Sequence, residues 1–491
     1  MASKKQRIIF RADGNLIAGY GHVIRALSLV SLLKSRYTCI FLIQKPDAFL
    51  KSQIMKVCDE IIELAFTKNY ATDAKVISRR YIQKEDIVVL DGYHFNTDYQ
   101  TIVRKNCFKL ISIDDLHSTH FVADVVINHS EGIRKQEYST AFYTRLYLGT
   151  SFSILRPSFL KKQLPAPVSD QRVFINMGGT DQKNYTEKAL KNCLKSVNPK
   201  RIDVVVGSFY PYTEKIKKIA LENKQLSIHL HSNLTEKEIA ALIKKSTLGI
   251  CSASTISYEY ANIGGLLYVY QTVPNQKNIY RFLIKSGVAF AAKTLSNSIN
   301  SFNDTQKRAQ YFKQRRSYFD GQSGKNIQAI FAELEMERTL KFRLASAKDA
   351  LIYFKWANDP EVRGNAIHTE PIPLENHLKW FDSKLKNNQA ALYLFTKNDK
   401  PIGQVRFDKT ENKTIIDYSV DKQYRGKGLG KLILKQALID YKSKYPSTVI
   451  HATVKASNEA SNKIFRNLQF KETKASYHGK ISFKNYSLAA G

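Results

Sequence analysis

The first 335 residues alternate short runs of β-branched and aromatic residues with longer helical stretches, and this rhythm limits the fold more than any other feature. It restarts once, after a proline-containing stretch at residues 164–167. Alternation of this kind is typical of a parallel sheet covered by helices. The runs are IIF (8–10), CIFLI (39–43), IVVLD (87–91), LISID (110–114) and ADVVINH (123–129), then VFINMGG (173–179), RIDVVVG (201–207), LSIHLH (226–231), LGICSA (248–253) and LLYVYQ (266–271).

The sequence therefore predicts two doubly wound, Rossmann-like α/β subdomains, at residues 1–160 and 168–335. In open sheets of this class, ligands bind outside the carboxyl ends of the strands. Beyond residue 340 the pattern changes to strands around one glycine-rich turn into a helix, with ALYLF at 391–395 and VIHATV at 449–454. We expect a third, α+β domain at residues 341–491.

Charge and cysteine usage narrow the classes of partner. The net charge of +33 is compatible with nucleic acid, anionic membranes or phosphate-bearing substrates. Basic residues never run longer than a pair, no nucleic-acid-binding motif accompanies them, and no apolar stretch approaches the ~18–20 residues of a membrane helix. We expect no nucleic-acid or membrane partner and a cytoplasmic location, and interpret the charge mainly as solvated surface, with focusing of phosphate-bearing substrates as the alternative.

The five cysteines are scattered and never in a CxxC spacing, which argues against disulfides and a zinc cluster. The pair Asp114-Asp115 is a candidate for a cation but is interpreted as a cap or turn, so no metal is expected.

A glycine-rich turn at residues 425–430 carries the chemistry of the third domain. In IIDYSVDKQYRGKGLGKLILKQALIDY, at 415–441, a β-run passes into a helix across RGKGLG. Glycines let the backbone approach a ligand, and a helix start offers unpaired N–H groups and a positive dipole end, so the turn suits a pyrophosphate.

This segment resembles the R/Q-x-x-G-x-G/A signature of the GCN5-related N-acetyltransferase family, and NEASNKIFRNLQF at 458–470 resembles its second hallmark. The resemblance implies acetyl-CoA as co-substrate. It places one set of residues along the pantetheine and pyrophosphate and a second set on the cofactor's other side. The first set is Val420, Arg425, Gly426, Lys427, Gly428, Leu429 and Gly430, and the second is Asn458 and Ser461.

Acetyl transfer to an amine needs a base for the nucleophile and an acid for the thiolate leaving group. Asp417 and His451, on strands beside the expected cofactor site, are base candidates. Many family members offer a Tyr as the acid where this chain has Phe465, which leaves Tyr477 or solvent for that task. Elements at 355–381 recur in acetyltransferases of amino sugars. Acceptor candidates there are Trp356, Asn358, Arg363 and His377, although the tryptophans Trp356 and Trp380 could equally pack the domain.

Residues 11–33 join a polar loop, the glycines Gly19 and Gly21 and a histidine at a helix start. A histidine there is well placed to meet a phosphate-bearing substrate and to handle a proton. In the second sheet, NMGGTDQKN at 176–184 and the Ser/Thr-rich turn at 251–259 can cradle phosphates, with a carboxylate one helical turn later to accept from ribose hydroxyls. The arrangement implies a nucleotide diphosphate.

Residues 7–335 resemble glycosyltransferase-B-fold proteins, and most closely the bacterial UDP-2,4-diacetamido-2,4,6-trideoxy-altropyranose hydrolase family of pseudaminic acid biosynthesis. The resemblance implies that His22 activates or positions water at the anomeric carbon. It also implies the following contacts: Asp13, Arg25, Asp91 and Tyr93 around the sugar; Gly178, Gly179, Ser252, Ser254, Thr255 and Glu259 on UDP; Asn275 and Gln276 near the diphosphate or sugar. Gly19 and Gly21 are further substrate-binding candidates. Gly92 stands where relatives commonly have His, which weakens the assignment of sugar contacts there.

The two resemblances together predict a bifunctional enzyme that acetylates the 4-amino group of a UDP-amino-sugar and then removes UDP. Other enzymes of the same pathway are candidate partners. Two other interpretations stay open: a UDP-sugar-dependent glycosyltransferase fused to the acetyltransferase, and a non-catalytic nucleotide-sugar-binding protein.

Overall fold

The computed structural model describes residues 5–14, 19–160, 171–179, 181–208, 210–298, 304–410 and 413–489. The expected linker at 164–167 lies outside these residues, as do Asn15 and Thr180 of the sequence motifs. The chain divides into two compact units: Met1–Thr140 with Thr144–Phe331, and Ala141–Tyr143 with Ala332–Gly491. Both predicted α/β sheets belong to the first unit, the N-terminal unit, and the α+β domain belongs to the second, the C-terminal unit.

The first sheet of the N-terminal unit is parallel, with the order β3-β2-β1-β4-β5-β7-β9 among the described residues. Its elements are β1 (Arg7–Ala12), α1 (Gly21–Leu33), β2 (Thr38–Gln44), α2 (Ala48–Met55), β3 (Glu60–Leu64), α3 (Tyr70–Arg80), β4 (Ile87–Asp91), α4 (Thr97–Arg104), β5 (Lys109–Ile113), β7 (Val125–Asn128) and β9 (Arg145–Leu148). The short strands β6 (His120–Phe121) and β8 (Ser139–Thr140) pair with each other in a separate two-stranded sheet.

The second sheet is also parallel and has the order β12-β11-β10-β13-β14-β15 in the part of the chain that is described. Its elements are β10 (Arg172–Asn176), α5 (Tyr185–Ser196), β11 (Arg201–Val205), α6 (Thr213–Glu222), β12 (Ser227–His231), α7 (Glu236–Lys245), β13 (Leu248–Ser252), α8 (Thr255–Ile263), β14 (Leu266–Tyr270), α9 (Lys277–Lys285), β15 (Phe290–Ala291), α10 (Leu295–Ser298), α11 (Thr305–Tyr318) and α12 (Ser323–Arg338).

The C-terminal unit has a mixed sheet of order β16-β17-β18-β19-β20-β23-β21, with β22 paired to β23. Its neighbouring strands are antiparallel except for β19 and β20, which are parallel. Its elements are β16 (Leu340–Leu344), α13 (Ala350–Ala357), α14 (Pro360–Asn365), α15 (Leu374–Lys386), β17 (Ala390–Lys397), β18 (Lys400–Lys409), β19 (Thr414–Val420), α16 (Leu429–Lys444), β20 (Ile450–Lys455), α17 (Glu459–Asn467), β21 (Lys471–Glu472), β22 (Ser476–His478) and β23 (Ile481–Leu488).

Local sequence explains where many helices start. Asp47, Asn69 and Asn96 each accept a backbone N–H in the first turn of α2, α3 and α4, and Thr235 forms a capping box with Glu238 before α7. The central strands are buried on both faces, as expected for sheets covered by helices, so β1, β4 and β13 read as continuous apolar runs.

The predicted fold class is confirmed, since two parallel α/β sheets precede an α+β domain. Among the described residues, no helix combines the length and the apolar character needed to cross a membrane.

Candidate active sites

The topological switch point of the first sheet lies between β1 and β4, which are paired side by side with Ala12 opposite Asp91. The chain leaves these two strands toward opposite edges of the sheet, which opens a crevice at their carboxyl ends. His22 lies in the first turn of α1, the first helix after β1, and Asp91 is the last residue of β4. Strand order therefore brings together two residues that are far apart in sequence.

A chain of charged hydrogen bonds runs inward from His22. Its Nδ1 lies 2.7 Å from Asp91 Oδ1, and Arg25 donates to both oxygens of Asp91 from Nη2 (2.7 Å) and Nε (2.8 Å). The same guanidinium donates to Asp115, over 2.6 Å from Nη1 and 2.9 Å from Nη2. Arg25 thus bridges two carboxylates, and one of these carboxylates orients the histidine.

The electrostatics keep Asp91 ionised. Burial alone would raise the pKa of this fully buried carboxyl, but Arg25 and then His22 outweigh burial and hold the pKa below its usual value. The same balance, dominated on the lowering side by Arg25, lowers the pKa of Asp115. An ionised carboxylate only accepts hydrogen bonds, so His22 Nδ1 donates to Asp91, and in the neutral imidazole the lone pair is then on Nε2. The histidine is thereby set to accept a proton at Nε2.

Arg25 and Asp91 were expected around a sugar, but the structure places them beneath His22, with 7% and 0% of their surface exposed. Asp115 completes this network, although the sequence suggested only a cap or turn. Its neighbour Asp114 does have that role, because it accepts the backbone N–H groups of Leu116 and His117.

Tyr93, which follows a strand of the first sheet, contacts Asn275, which follows a strand of the second sheet. The Tyr93 ring stands edge-on to the His22 ring, with 4.6 Å between centroids. Asn275, in the 3-10 turn Pro274–Gln276 after β14, lies with its Nδ2 3.3 Å from Tyr93 Oη. Burial raises the pKa of Tyr93, so its hydroxyl stays protonated at neutral pH. Gln276 instead accepts the backbone N–H of Thr272.

The loop between β1 and α1 supplies further polar groups. Asp13 Oδ1 accepts from Arg11 Nη1 (2.6 Å) and from the Gln44 backbone N–H (2.9 Å). A Cβ built on Gly19 or Gly21 would meet nothing within 4 Å, so a ligand can approach the backbone there. The helix α1 has no side-chain cap, which leaves the N–H groups of its first turn available.

The switch point of the second sheet lies between β10 and β13 and has the form of a phosphate cradle. Gly178, directly after β10, has φ +95°, and a Cβ on it would lie 3.9 Å from Ser252 Oγ, while one on Gly179 would meet nothing. Ser252 and Ser254 share a hydrogen bond of 2.9 Å. The helix α8 begins at Thr255 without a side-chain cap, so its first N–H groups face this crevice unpaired by a cap.

Glu259 was expected to accept from ribose, but its carboxylate is 2% exposed and receives Arg156 Nε (2.7 Å) and Nη2 (2.6 Å). Arg156 precedes the 3-10 turn Pro157–Phe159, and sequence reasoning missed it. The bidentate pair raises the pKa of Arg156 against the lowering effect of burial. The ribose contact of Glu259 stays a prediction, and in this structure the carboxylate anchors Arg156.

No group of three or more His, Cys, Asp or Glu side chains in the described residues is arranged to hold a metal ion. The carboxylates at the first switch point are bound to arginines: Asp13 to Arg11, and Asp91 and Asp115 to Arg25.

In the C-terminal unit the glycine-rich turn lies where two parallel strands separate. The strands β19 and β20 pair only at Thr414 with Ile450 and at Ile415 with His451, and diverge beyond these residues. At the far end of β19, Gly426 (φ +74°) and Gly428 (φ +75°) adopt backbone conformations that other residues rarely take, and a Cβ added to either glycine would meet nothing within 4 Å. The helix α16 then begins at Leu429 without a side-chain cap. The turn thus presents open backbone to a ligand.

Arg425 is held by groups of the protein. Its Nη2 donates to Asp359 (2.7 Å), its Nη1 to Glu361 (2.8 Å) and its Nε to the Val420 carbonyl (3.0 Å). Asp359 caps α14, so the guanidinium ties the glycine-rich turn to that helix. The Arg425 backbone N–H remains a candidate ligand for the cofactor, whereas its charge is matched by two carboxylates.

The second hallmark segment lies on α17. Asn458 caps this helix by accepting the Ser461 N–H, and Ser461 Oγ is 2.8 Å from Tyr418 Oη on β19. Phe465 is buried, with its ring 6.0 Å from that of Tyr418. Tyr477, the phenol that the sequence offered as an acid, is 74% exposed on β22.

The two base candidates lie on neighbouring strands. His451 is half-buried at the last paired position of β20, opposite Ile415, while Asp417 is exposed on β19 and accepts from Gln404 Nε2 at 3.3 Å. Either assignment stays a prediction.

The acceptor candidates are mostly engaged in packing. Trp356 is 2% exposed and donates from Nε1 to Asp421, and His377 is 2% exposed with Nε2 3.0 Å from the Ala350 carbonyl. Burial lowers the pKa of His377. Asn358 exchanges hydrogen bonds with Ile372, and Arg363 donates to carbonyls of residues 368 and 370. Their contact with an acceptor stays a prediction, and the alternative of packing fits Trp356 and His377.

Comparison with protein families agrees with this division. Residues 339–471 match the model of the acetyltransferase (GNAT) domain. An uncharacterized protein of Methanocaldococcus jannaschii is 25% identical over 500 residues, which cover 95% of this chain and 97% of that protein. The sequence similarity to this protein therefore extends over both units.

Two relatives match the N-terminal unit alone. The UDP-2,4-diacetamido-2,4,6-trideoxy-beta-L-altropyranose hydrolase of Campylobacter jejuni is 24% identical, over 57% of this chain and 97% of the relative. The spore coat polysaccharide biosynthesis protein SpsG of Bacillus subtilis is 23% identical, over 57% of this chain and 81% of the relative. The chain is thus a fusion of a region similar to these two proteins with a GNAT domain.

Proposed function

We propose that the chain catalyses two consecutive steps on one UDP-sugar. The C-terminal unit transfers an acetyl group from acetyl-CoA to the 4-amino group of UDP-4-amino-4,6-dideoxy-N-acetyl-altrosamine. The N-terminal unit then hydrolyses UDP-2,4-diacetamido-2,4,6-trideoxy-altropyranose to UDP and the free sugar. The observation that carries the proposal is the His22–Asp91 pair at the first switch point, in which Nδ1 lies 2.7 Å from Oδ1. Arg25 holds Asp91 in place, and the Tyr93 ring lies 4.6 Å from the His22 ring between centroids.

In the hydrolytic step, His22 Nε2 takes a proton from water while the water oxygen forms a bond to the anomeric carbon. The bond from that carbon to the UDP oxygen breaks, and its electron pair leaves with UDP. Asp91 stabilises the imidazolium that forms, because its carboxylate is ionised and 2.7 Å from Nδ1. The start of α8, which no side chain caps, and the Ser252 and Ser254 hydroxyls suit the diphosphate that departs.

In the transfer step, the open backbone at Gly426 and Gly428 and the uncapped start of α16 suit the pyrophosphate of acetyl-CoA. The separation of β19 from β20 leaves the edge of β19 that faces β20 without a strand partner beyond Ile415, and an amide-containing pantetheine arm can pair with backbone groups at that edge. Asp417 and His451 are the residues of this unit that we assign as candidate bases for the amine.

The fusion has a physical advantage under this proposal. Two consecutive enzymes on one chain raise the effective concentration of the shared intermediate at the second site. Other enzymes of the same pathway are partners to test by co-purification.

The test is mass spectrometry of the purified full chain with the UDP-4-amino sugar, with and without acetyl-CoA. We expect acetyl-CoA to add one acetyl group, after which UDP and free diacetamido sugar appear. His22→Ala should retain acetylation and lose UDP release, whereas His120→Ala, which removes an exposed histidine on β6, should retain both. Release of UDP at the wild-type rate by His22→Ala would contradict the hydrolytic assignment.

A glycosyltransferase is the second candidate, because the two sheets with a nucleotide cradle suit transfer to an acceptor as well as to water. The same experiment separates them. A glycosyltransferase would acetylate but keep UDP attached until a sugar or lipid acceptor is added, and a binding protein would retain UDP with no turnover.

A further inference from the structure

A hydroxyl group on β19 meets a hydroxyl group on α17, close to the point where β19 separates from β20. Tyr418 Oη and Ser461 Oγ are 2.8 Å apart, and either can be the donor. The Tyr418 ring also lies against the first turn of α16, since a Cβ on Gly430 would be 3.3 Å from Tyr418 Cε2. The pair is thus next to the glycine-rich turn.

The pleat of β19 separates Tyr418 from the candidate base Asp417. Successive side chains of a strand point to opposite faces, so Tyr418 shares a face with Ile416 and Val420. These three residues pack on the same apolar core as α16 and α17, whereas Asp417 accepts from Gln404 on β18. Proton removal from an amine by Asp417 and proton delivery by Tyr418 would therefore occur on different sides of the strand.

Resting on the proposed acetyl transfer, we propose that Tyr418 is the proton donor to the departing thiolate and that Ser461 holds its hydroxyl in place. The amine nitrogen forms a bond to the acetyl carbon, the carbon–sulfur bond breaks, and its electron pair goes to sulfur. Tyr418 Oη gives its proton to that sulfur and yields CoA as a thiol. The proton that the nitrogen loses on forming the amide restores the phenol through solvent.

The surroundings keep Tyr418 in the form that a donor needs. Burial raises its pKa, and the hydrogen bond with Ser461 only partly opposes this, so the phenol is protonated at neutral pH. The neighbouring buried phenol, Tyr486, is committed elsewhere, because its Oη donates to Asn462 Oδ1 over 2.8 Å. Tyr418 and Tyr424 are both partly exposed beside the turn, and Tyr418 is the one whose hydroxyl meets the Ser461 hydroxyl of α17.

The experiment uses the full chain and follows CoA thiol release with a thiol reagent, with the UDP-4-amino sugar as acceptor and, separately, with water alone. Tyr418→Phe should lower kcat by about 100-fold, within the range for loss of a general acid, while KM for acetyl-CoA changes little. Ser461→Ala should lower kcat less. Tyr445→Phe removes the hydroxyl of a 40% exposed phenol after α16 and should leave kcat unchanged.

Phe465→Tyr in the Tyr418→Phe background adds a phenol on the adjoining ring, 6.0 Å away between centroids, and should restore part of kcat. A kcat within twofold of wild type for Tyr418→Phe would overturn the proposal. So would a loss of CoA affinity in Tyr418→Phe as large as its loss of kcat, or a loss of kcat in Tyr477→Phe and not in Tyr418→Phe. Transfer to water but not to the sugar would refute the proposed acceptor while still testing Tyr418. A wild-type chain that releases no CoA in either reaction would refute both.

Discussion

Replacing Arg25 with methionine tests whether one guanidinium stabilises the first switch point. Arg25 is 7% exposed and makes four hydrogen bonds of 2.6–2.9 Å to Asp91 and Asp115. Methionine fills most of the same volume but leaves both carboxylates without their cation. Removing one partner of a buried ion pair costs about 3–5 kcal/mol, so we expect the N-terminal unit to lose about that much free energy of unfolding at pH 8.

The sign of the pH dependence follows from Asp91. In the wild type its pKa is lowered, mainly because Arg25 outweighs burial, so its contribution is present above the unfolded pKa and is lost as pH falls through the folded pKa. In Arg25→Met burial acts without Arg25, and the folded pKa rises above the unfolded one. In the variant, the folded state is therefore destabilised at high pH, where Asp91 is ionised, and less so at low pH, where Asp91 is protonated. The difference in stability between the two proteins should shrink from pH 8 toward pH 5.

The assay exploits the distribution of tryptophan. Both tryptophans, Trp356 and Trp380, lie in the C-terminal unit, so fluorescence follows that unit, while far-UV circular dichroism includes the N-terminal unit. In urea, Arg25→Met should shift the dichroism transition and leave the fluorescence transition in place. Arg134→Met removes an exposed pair with Glu137, whose two side chains are 80% and 37% exposed, and should leave the dichroism transition close to that of the wild type. A loss for Arg25→Met no larger than for this control would refute the reasoning.

Three further results are expected. Hydrolysis in 18O-labelled water should put the label in the free sugar, and label in UDP would show attack at phosphorus instead of carbon. Gly428→Ala should weaken CoA binding, measured by calorimetry, at least tenfold more than Gly479→Ala does. Both glycines have positive φ (+75° and +58°), but only Gly428 lies in the glycine-rich turn. Equal losses of affinity would mean that backbone strain alone causes them. Arg425→Gln should raise KM for the amino sugar about fivefold and keep the affinity for CoA, because it removes a partly exposed ion pair worth roughly 1 kcal/mol. A loss of CoA affinity with an unchanged KM for the amino sugar would make Arg425 a phosphate ligand.

The regular alternation of apolar runs with helical stretches allowed the fold to be predicted from the sequence. Buried parallel strands read as apolar runs in any sequence context, and the runs at 8–10, 87–91 and 248–253 are strands in the structure. The glycine-rich turn at 425–430 could be predicted for a related reason, since the positive φ of Gly426 and Gly428 strongly favours glycine at those two positions. Such features depend on a few neighbouring residues, which the sequence displays directly.

The partners of the charged residues depend instead on strand order. Asp91 is 69 positions from His22 and 66 from Arg25, and only the adjacency of β1 and β4 brings them together. The same limit applies to Glu259, whose partner Arg156 is 103 positions away. A carboxylate near a nucleotide motif looks like a ligand in sequence, whereas in the fold it can equally be the counter-ion of a buried arginine.

Pairing of the carboxylates also bears on how an anionic substrate is tolerated. Asp13, Asp91 and Asp115 lie at the carboxyl ends of three adjacent strands, where a diphosphate would meet their repulsion if they were free. Arg11 and Arg25 bind these carboxylates from the buried side, and Arg11 also pairs with Asp73, so the two cations offset part of the carboxylate charge without lying in the crevice. Attraction for the diphosphate is then left to helix starts and to the field of a chain with net charge +33. This separation lets Asp91 remain ionised for His22 beside a negatively charged substrate, which a free carboxylate at the same position could do only at the expense of binding.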